Sequence, residues 1–126
     1  MKGIEGKTAI VSGGATSIGA AIVRAFRAYG AYAVIADIAD GPGAALADEL
    51  GPAALFHHTD VTRDDQIAAC VAQAVARFRG VDFLVNGAVT YLDNGLESSR
   101  AEWLEALNVN RVGGAIFVAA AAPEMK

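Results

Sequence analysis

The stretch Thr8 to Gly19, TAIVSGGATSIG, decides the fold of this chain. Its residues 8–11 are a short apolar run that predicts a strand, and residues 12–17 form a turn rich in small side chains. From Ile18 onward, apolar residues recur at helical spacing. A strand, a glycine-bearing turn and a helix in this order form a phosphate-binding unit, because the helix N-terminus carries unpaired N–H groups and partial positive charge. The alternative is an ordinary strand-to-helix turn that binds nothing.

Composition restricts the class of protein. With 126 residues the chain fits one domain, residues 1–126, around a single core. Hydrophobic residues make up 54% and charged residues 19%, which excludes a disordered chain. The formal net charge of −4 argues against a nucleic-acid partner, since phosphate backbones need a basic face. The single cysteine, Cys70, lies in a helical pattern and is expected to be a buried, reduced thiol.

Apolar runs in the sequence are short. The N-terminus has no apolar segment of signal-peptide length. The longest uncharged apolar run, residues 112–122, falls short of the ~18 residues that span a bilayer. We therefore expect no membrane partner and a cytoplasmic location.

The rest of the chain alternates predicted strands with predicted helices. Apolar runs predict strands at residues 8–11, 32–36, 54–57 and 81–85. The first helix is expected from Ile18 to Tyr29, with Gly30 as a left-handed residue at its end, and the second from Ala44 to Leu50, after a break at Gly41-Pro42-Gly43. The third is expected from an N-cap at Thr62 to near Gly80. The fourth is expected from a Ser99–Glu102 capping box to near Pro123. Strands two and four are almost wholly apolar, which is typical of parallel strands covered on both faces. The sequence therefore predicts an α/β fold with a doubly wound, Rossmann-like parallel sheet of about four strands.

Asp37 is a candidate ligand for a nucleotide. It follows Gly19 by 18 residues and closes the second predicted strand. A carboxylate at this place can accept hydrogen bonds from the ribose hydroxyls of an adenine nucleotide. The alternative is a solvated acid in a loop that also holds Asp40.

Four motifs resemble those of the short-chain dehydrogenase/reductase family. The family's three-glycine motif is matched by Gly13, Ser17 and Gly19, and its Asp-Val pair after strand three by Asp60-Val61. Its Asn-Asn-Ala-Gly segment resembles Asn86-Gly87-Ala88-Val89. The helix segment that ends in its catalytic asparagine resembles Leu107-Asn108-Val109-Asn110. The resemblance implies an NAD-dependent oxidoreductase acting on an alcohol or carbonyl. It implies a catalytic position at Asn110 and cofactor-binding positions at Gly13, Ser17, Ile18, Gly19, Asp37, Asp60, Val61, Asn86, Gly87 and Ala88.

The sequence also departs from this family pattern. Ser17 replaces a glycine, Gly87 an asparagine and Val89 a glycine. The family's catalytic serine and its Tyr-x-x-x-Lys pair have no counterpart in the 126 residues. The chain is therefore expected to be incomplete relative to the family and inactive alone, meeting a substrate only if another segment supplies the missing half. It is either the N-terminal half of a reductase, or one chain of a split enzyme, or a nucleotide-binding remnant with a regulatory role or none.

Two further expectations concern metals and partners. His57 and His58 are adjacent and would point to opposite faces of a strand, so no metal site is expected. Residues 112–122 are apolar on every helical face, and such a helix must be buried on more than one side. In the family this helix packs on its counterpart in a neighbouring subunit. A homo-oligomer formed through the 100–122 helix is therefore expected, with pairing to a separate chain as the alternative.

Overall fold

The computed structural model describes residues 3–90 and 94–125. Four parallel strands form one sheet in the order β3-β2-β1-β4. The strands are β1 Thr8–Ser12, β2 Tyr32–Asp37, β3 Ala54–His58 and β4 Phe83–Asn86, and the α-helices are α1 Ser17–Ala28, α2 Asp40–Leu50, α3 Asp64–Phe78, α4 Arg100–Leu107 and α5 Gly113–Ala121. A π-helical turn, Asn108–Val112, joins α4 to α5, and single 3₁₀ turns occupy Gly95–Glu97 and Ala122–Glu124. The predicted doubly wound α/β fold is confirmed.

The sheet is buried on both faces. Alternate residues of each strand point to opposite sides, so Ile10 and Val34 pack with α3 and α5, whereas Val11 and Ile35 pack with α1 and α2. All four of these side chains are fully buried. Continuous apolar runs in these strands follow from this double covering.

Helix α2 begins four residues before its predicted start. Gly41-Pro42-Gly43 lies inside its first turn, so the predicted break at these residues is wrong. Proline is tolerated there because a first-turn N–H needs no intrahelical partner. A side chain at Gly43 would overlap the ring of Phe56, so the glycine permits close packing of α2 on β3.

Helix α3 also begins differently from the prediction. Its N-cap residue is Arg63, not Thr62, and no side chain caps it. The Thr62 hydroxyl instead donates to the Asp60 carboxylate at 2.7 Å. The helix ends at Phe78, close to the predicted end near Gly80, and Arg79 after it adopts the left-handed conformation, with φ +73°.

The C-terminal helical segment, residues 100–121 from α4 through the π-helical turn to α5, starts as predicted. The Ser99 hydroxyl accepts the Glu102 N–H and the Glu102 carboxylate accepts the Ser99 N–H, which confirms the capping box. The π-helical turn interrupts the single helix that the sequence predicted. No helix in the described ranges is long and apolar enough to cross a membrane.

Candidate functional site

A cleft of about 590 Å³ opens at the carboxyl ends of the four strands. Nine of the candidate cofactor-binding residues line it, namely Gly13, Ser17, Ile18, Gly19, Asp37, Asp60, Val61, Gly87 and Ala88. The tenth cofactor-binding candidate, Asn86, and the catalytic candidate, Asn110, are not part of this lining. Ligands of open α/β sheets bind at this end of the strands.

The floor of the cleft is formed where the backbone of the turn after β1 packs closely against the loop after β4. Gly13 has φ +69°, and a Cβ there would lie 2.7 Å from the carbonyl carbon of Gly87. A Cβ at Gly19 would overlap the carbonyl oxygen of Gly13. The turn after β1 therefore admits only glycine at both positions, and it leaves backbone rather than side chains facing the cleft.

Ser12 joins the two loops that flank this floor. Its hydroxyl accepts the N–H groups of Gly87 at 3.1 Å and Ala88 at 3.2 Å, and donates to the carbonyl of Val85 at 3.4 Å. The side chain is buried at the end of β1. Sequence reasoning missed this role, although a hydroxyl residue between the first strand and Gly13 was a usable signal.

The first turn of α1 lies at the cleft without a side-chain cap. First-turn N–H groups have no intrahelical partner, Thr16 at the N-cap makes no side-chain cap, and no acidic residue lies in this turn. Ser17 begins the helix with φ +53°, a left-handed conformation that a non-glycine residue rarely adopts. Ile18 is 78% exposed beside it.

Asp37 is held at the end of β2 by two backbone groups. Its Oδ2 accepts the N–H of Ala15 and its Oδ1 accepts the N–H of Ala39, both at 3.0 Å. The carboxylate thus ties the glycine-bearing turn to the start of α2. Each carboxylate oxygen has a further lone pair that can accept a hydroxyl.

Asp60 is the second carboxylate in the cleft. Its Oδ1 accepts the hydroxyl of Thr62 at 2.7 Å and the N–H of Thr62 at 2.9 Å. These hydrogen bonds lower the pKa of the Asp60 carboxyl below its ordinary value. The group is therefore anionic at neutral pH.

Two asparagine side chains hold the loop after β4 against the C-terminal helical segment. The Asn86 amide donates to the carbonyl of Gly114 at 3.3 Å. In the π-helical turn, the Asn110 Oδ1 accepts the N–H of Thr90 at 2.7 Å, and its Nδ2 donates to the Thr90 carbonyl at 3.0 Å. Asn110 therefore positions the residue that follows Val89 in the cleft wall.

The adjacent histidines have separate partners. Nδ1 of His57 lies 2.9 Å from the Thr59 hydroxyl, and burial lowers the pKa of His57. Nδ1 of His58 lies 2.6 Å from Oδ1 of Asp40. Within residues 3–90 and 94–125, no three His, Cys, Asp or Glu side chains come together as metal ligands.

Further residues of the cleft lining were not predicted from the sequence. Val89 was noticed only as a departure from the family, and it is 55% exposed in the cleft. The lining also includes Thr16, Ala36, Ile38, Thr59, Thr62, Thr90, Glu105 and Val109. Val109 directly precedes Asn110 in the segment that resembles the family's catalytic helix, whereas no sequence pattern around Glu105 predicts that it lines the cleft.

Comparison with known proteins agrees with this geometry. A model of the family described as short chain dehydrogenase matches residues 7–126. The chain is 43% identical over 122 residues to a 3-alpha-(or 20-beta)-hydroxysteroid dehydrogenase of Mycobacterium tuberculosis, covering 96% of this chain and 47% of that protein. It is 40% identical over 121 residues to tropinone reductase-like 2 of Erythroxylum coca, covering 92% of this chain and 44% of that protein.

Solved structures show the same similarity. A short-chain dehydrogenase/reductase of the glucose/ribitol dehydrogenase type from Brucella melitensis superimposes with a TM-score of 0.91 at 32% identity, covering 97% of this chain and 53% of that one. A 3-ketoacyl-(acyl-carrier-protein) reductase from the same organism, complexed with NADH, gives 0.89 at 28% identity, covering 96% and 51%. The chain spans about half the length of the proteins it matches.

Proposed function

The chain belongs to the short-chain dehydrogenase family, and from that membership we propose that its cleft binds NAD(H) as the cofactor-binding portion of an oxidoreductase acting on alcohols or carbonyls. The single observation that carries the proposal is the side-chain-free floor between Gly13 and Gly87, next to the first turn of α1. A pyrophosphate needs both the close approach and the free N–H groups that this arrangement provides. The structural neighbour complexed with NADH supports the same ligand class.

The residues present fit the parts of such a cofactor. The N–H groups at the first turn of α1, around Ser17 and Ile18, would hold the pyrophosphate. Asp37 would accept the ribose hydroxyls, and Asp60 with Val61 would lie at the adenine. When bound, the nicotinamide supplies hydride transfer. The chain's own residues bind and orient the cofactor, and the Asn110–Thr90 contact fixes the loop after β4.

Proton transfer is the part of the reaction that these 126 residues do not provide. No Tyr-x-x-x-Lys sequence occurs in them, and such a pair carries the acid–base step in the family. We therefore propose that the 126-residue chain binds NAD(H) without turning over unless another segment supplies this pair. The first two hypotheses, a longer reductase and a split enzyme, require such a segment, whereas a regulatory remnant requires none.

The experiment for cofactor binding compares two exposed apolar residues. Ile18→Glu places a carboxylate in the cleft beside the first turn of α1, where it opposes the pyrophosphate. Leu96→Glu makes the same change on the surface, outside the cleft lining. In NADH fluorescence titrations we expect wild type and Leu96→Glu to bind equally, and Ile18→Glu to bind about tenfold or more weakly. Absence of NADH binding by the wild type, or equal binding by both variants, would contradict the proposal.

Turnover is tested separately from binding. The chain alone, identified by mass, is assayed for NADH oxidation with a panel of ketones and aldehydes. Binding without protein-proportional turnover is the expected result. Reading the coding sequence beyond residue 126 for a Tyr-x-x-x-Lys segment separates the incomplete-enzyme hypotheses from the remnant.

The partner we propose for the C-terminal helical segment is a second copy of this chain. The apolar residues of its exposed face are between 47 and 58% accessible, namely Trp103, Leu104, Leu107, Val112 and Val118. Only one side of α5 is buried, through Gly113, Phe117 and Ala121. In addition, β4 lies at an edge of the described sheet. An apolar helix face beside an open strand edge favours association, with a separate chain as the alternative occupant.

A further inference from the structure

A hydrogen-bonded carboxylate–imidazole pair lies next to the end of the cleft where the adenosine ribose would lie. Oδ1 of Asp40, the first residue of α2, is 2.6 Å from Nδ1 of His58, the last residue of β3. Asp40 comes two residues after Ile38, and His58 directly precedes Thr59, and both Ile38 and Thr59 line the cleft. The pair therefore links the start of α2 to the end of β3, two segments whose neighbouring residues line this end of the cleft.

The sheet register places this pair beside Asp37. His58 is the β3 partner of Asp37 in the parallel β2–β3 ladder. Neighbouring strands lie ~4.8 Å apart, so the backbone of His58 lies one strand spacing from that of Asp37. Asp37 itself cannot turn away, because the N–H groups of Ala15 and Ala39 hold both of its oxygens.

Charge at this end is not provided by Asp37 alone. Asp60 is anionic, and the Arg63 guanidinium is paired with Asp65 at 3.4 Å. Asp40 adds a carboxylate, while His58 adds an imidazole that can carry positive charge or donate an N–H. A phosphate on the 2′-oxygen of the ribose, which distinguishes NADP from NAD, would extend from the Asp37 end of the cleft toward this pair.

We propose that the Asp40–His58 pair is a second determinant of the choice between NAD and NADP, acting in addition to Asp37. The inference rests on the proposed function, since it assumes that the cleft binds the adenosine part of a dinucleotide at Asp37. Its two members act in opposite directions: the Asp40 carboxylate repels a 2′-phosphate, and the His58 imidazole attracts it. Removing the Asp40 carboxylate and removing the His58 imidazole should therefore shift the preference in opposite directions.

Isosteric variants test these signs. Asp40→Asn keeps an oxygen acceptor for the imidazole but makes the pair one charge more positive, so NADPH affinity rises relative to NADH affinity. His58→Gln leaves the Asp40 carboxylate unpaired, so NADPH affinity falls relative to NADH affinity. Because the His58 and Asp40 side chains are 47% and 68% exposed, we expect each ratio to change by about two- to fivefold, and by less at high salt. The matched control is Asp48→Asn, the same change within α2 at a residue outside the cleft lining.

The readout is the ratio of NADPH to NADH dissociation constants for the four proteins, measured by fluorescence titration at two salt concentrations. Opposite shifts for the two variants, with an unchanged ratio for Asp48→Asn, support the inference. Shifts of the same sign, no shift, or an equal shift in Asp48→Asn overturn it. NADH binding by the wild type tests the proposed function separately. If the wild type binds NADH but neither variant changes the ratio of dissociation constants, only the role of this pair is contradicted. Thermal unfolding of each variant verifies that it is folded.

Discussion

Asn110 pairs with the backbone of Thr90 as a neighbouring strand would, accepting its N–H at 2.7 Å and donating to its carbonyl at 3.0 Å. Asn110 lies in the π-helical turn, which widens the helix at the point where this side chain leaves it. The loop after β4 is thereby fixed to the C-terminal helical segment through one side chain.

We expect Asn110→Ala to release this loop. Two hydrogen bonds are lost, each contributing about 1 kcal/mol, so the free energy of unfolding should fall by about 1–2 kcal/mol. Hydrogen exchange of the Thr90 amide is the direct measurement, and its protection should drop more than that of buried β1 amides. The control Asn108→Ala removes an asparagine from the same turn without removing the Thr90 contact. Unchanged Thr90 protection in Asn110→Ala would show that the loop is held by other contacts.

Local patterns explain why much of the fold followed from the sequence. The strands 8–11 and 32–36 were predicted almost to their ends, because alternating burial on two faces makes them apolar throughout. Gly30 was predicted as a left-handed ending residue, and its φ is +87°. The capping box at Ser99 depends only on residues within one helical turn.

The errors arise where a particular side-chain contact overrides the local pattern. Gly41-Pro42-Gly43 reads locally as a break, but the ring of Phe56 needs a residue without a Cβ at position 43. Threonine is favoured at helix N-caps, but the Thr62 hydroxyl donates its hydrogen bond to the Asp60 carboxylate instead. Likewise, the link from Ser12 to Gly87 joins residues 75 positions apart, so no window of sequence displays it.

A preference for NAD(H) over NADP(H) should depend on Asp37. A carboxylate about 5 Å from a 2′-phosphate repels each phosphate charge by roughly 3 kcal/mol at an effective dielectric constant of 20, and salt lowers this. We therefore expect NADH to bind more tightly than NADPH, and Asp37→Asn to reduce the difference. Asparagine keeps an oxygen for one of the two backbone N–H groups, which limits the cost to folding. Titration of both nucleotides checks this, and unchanged selectivity in Asp37→Asn would refute it.

Ser17→Gly should stabilise the chain. Serine at φ +53° occupies a left-handed conformation that costs about 1–2 kcal/mol for a residue with a Cβ, part of which is offset by the greater freedom of glycine in the unfolded chain. The free energy of unfolding in urea should therefore rise by about 0.5–1 kcal/mol. Thr16→Gly is the matched control, because Thr16 has φ −140° and should lose stability instead. Equal effects of the two substitutions would be inconsistent with strain at Ser17.

Stability at alkaline pH should depend on Cys70. Burial raises the pKa of the Cys70 thiol to about 11, so the folded state retains a proton that the unfolded state releases near pH 8.5. The contribution of this group is complete below pH 8.5 and is lost as the pH rises through about 11, amounting to about 3 kcal/mol. Comparing urea unfolding of wild type and Cys70→Ala from pH 7 to 11 isolates it from other groups. Parallel pH profiles of the two proteins would contradict the shift.

Self-association through the exposed apolar face of α4 and α5 is the last prediction. Leu107, at the end of α4, is 49% exposed, and burying the rest of such a side chain contributes up to about 1.5 kcal/mol. Leu107→Lys leaves a charge at the proposed contact and should weaken the oligomer, whereas Leu96→Lys, at a fully exposed leucine outside α4 and α5, should not. Light scattering over a dilution series should give a wild-type mass that is a multiple of 12.9 kDa and falls on dilution. A monodisperse wild-type monomer with a concentration-independent unfolding midpoint would show that this face needs no partner.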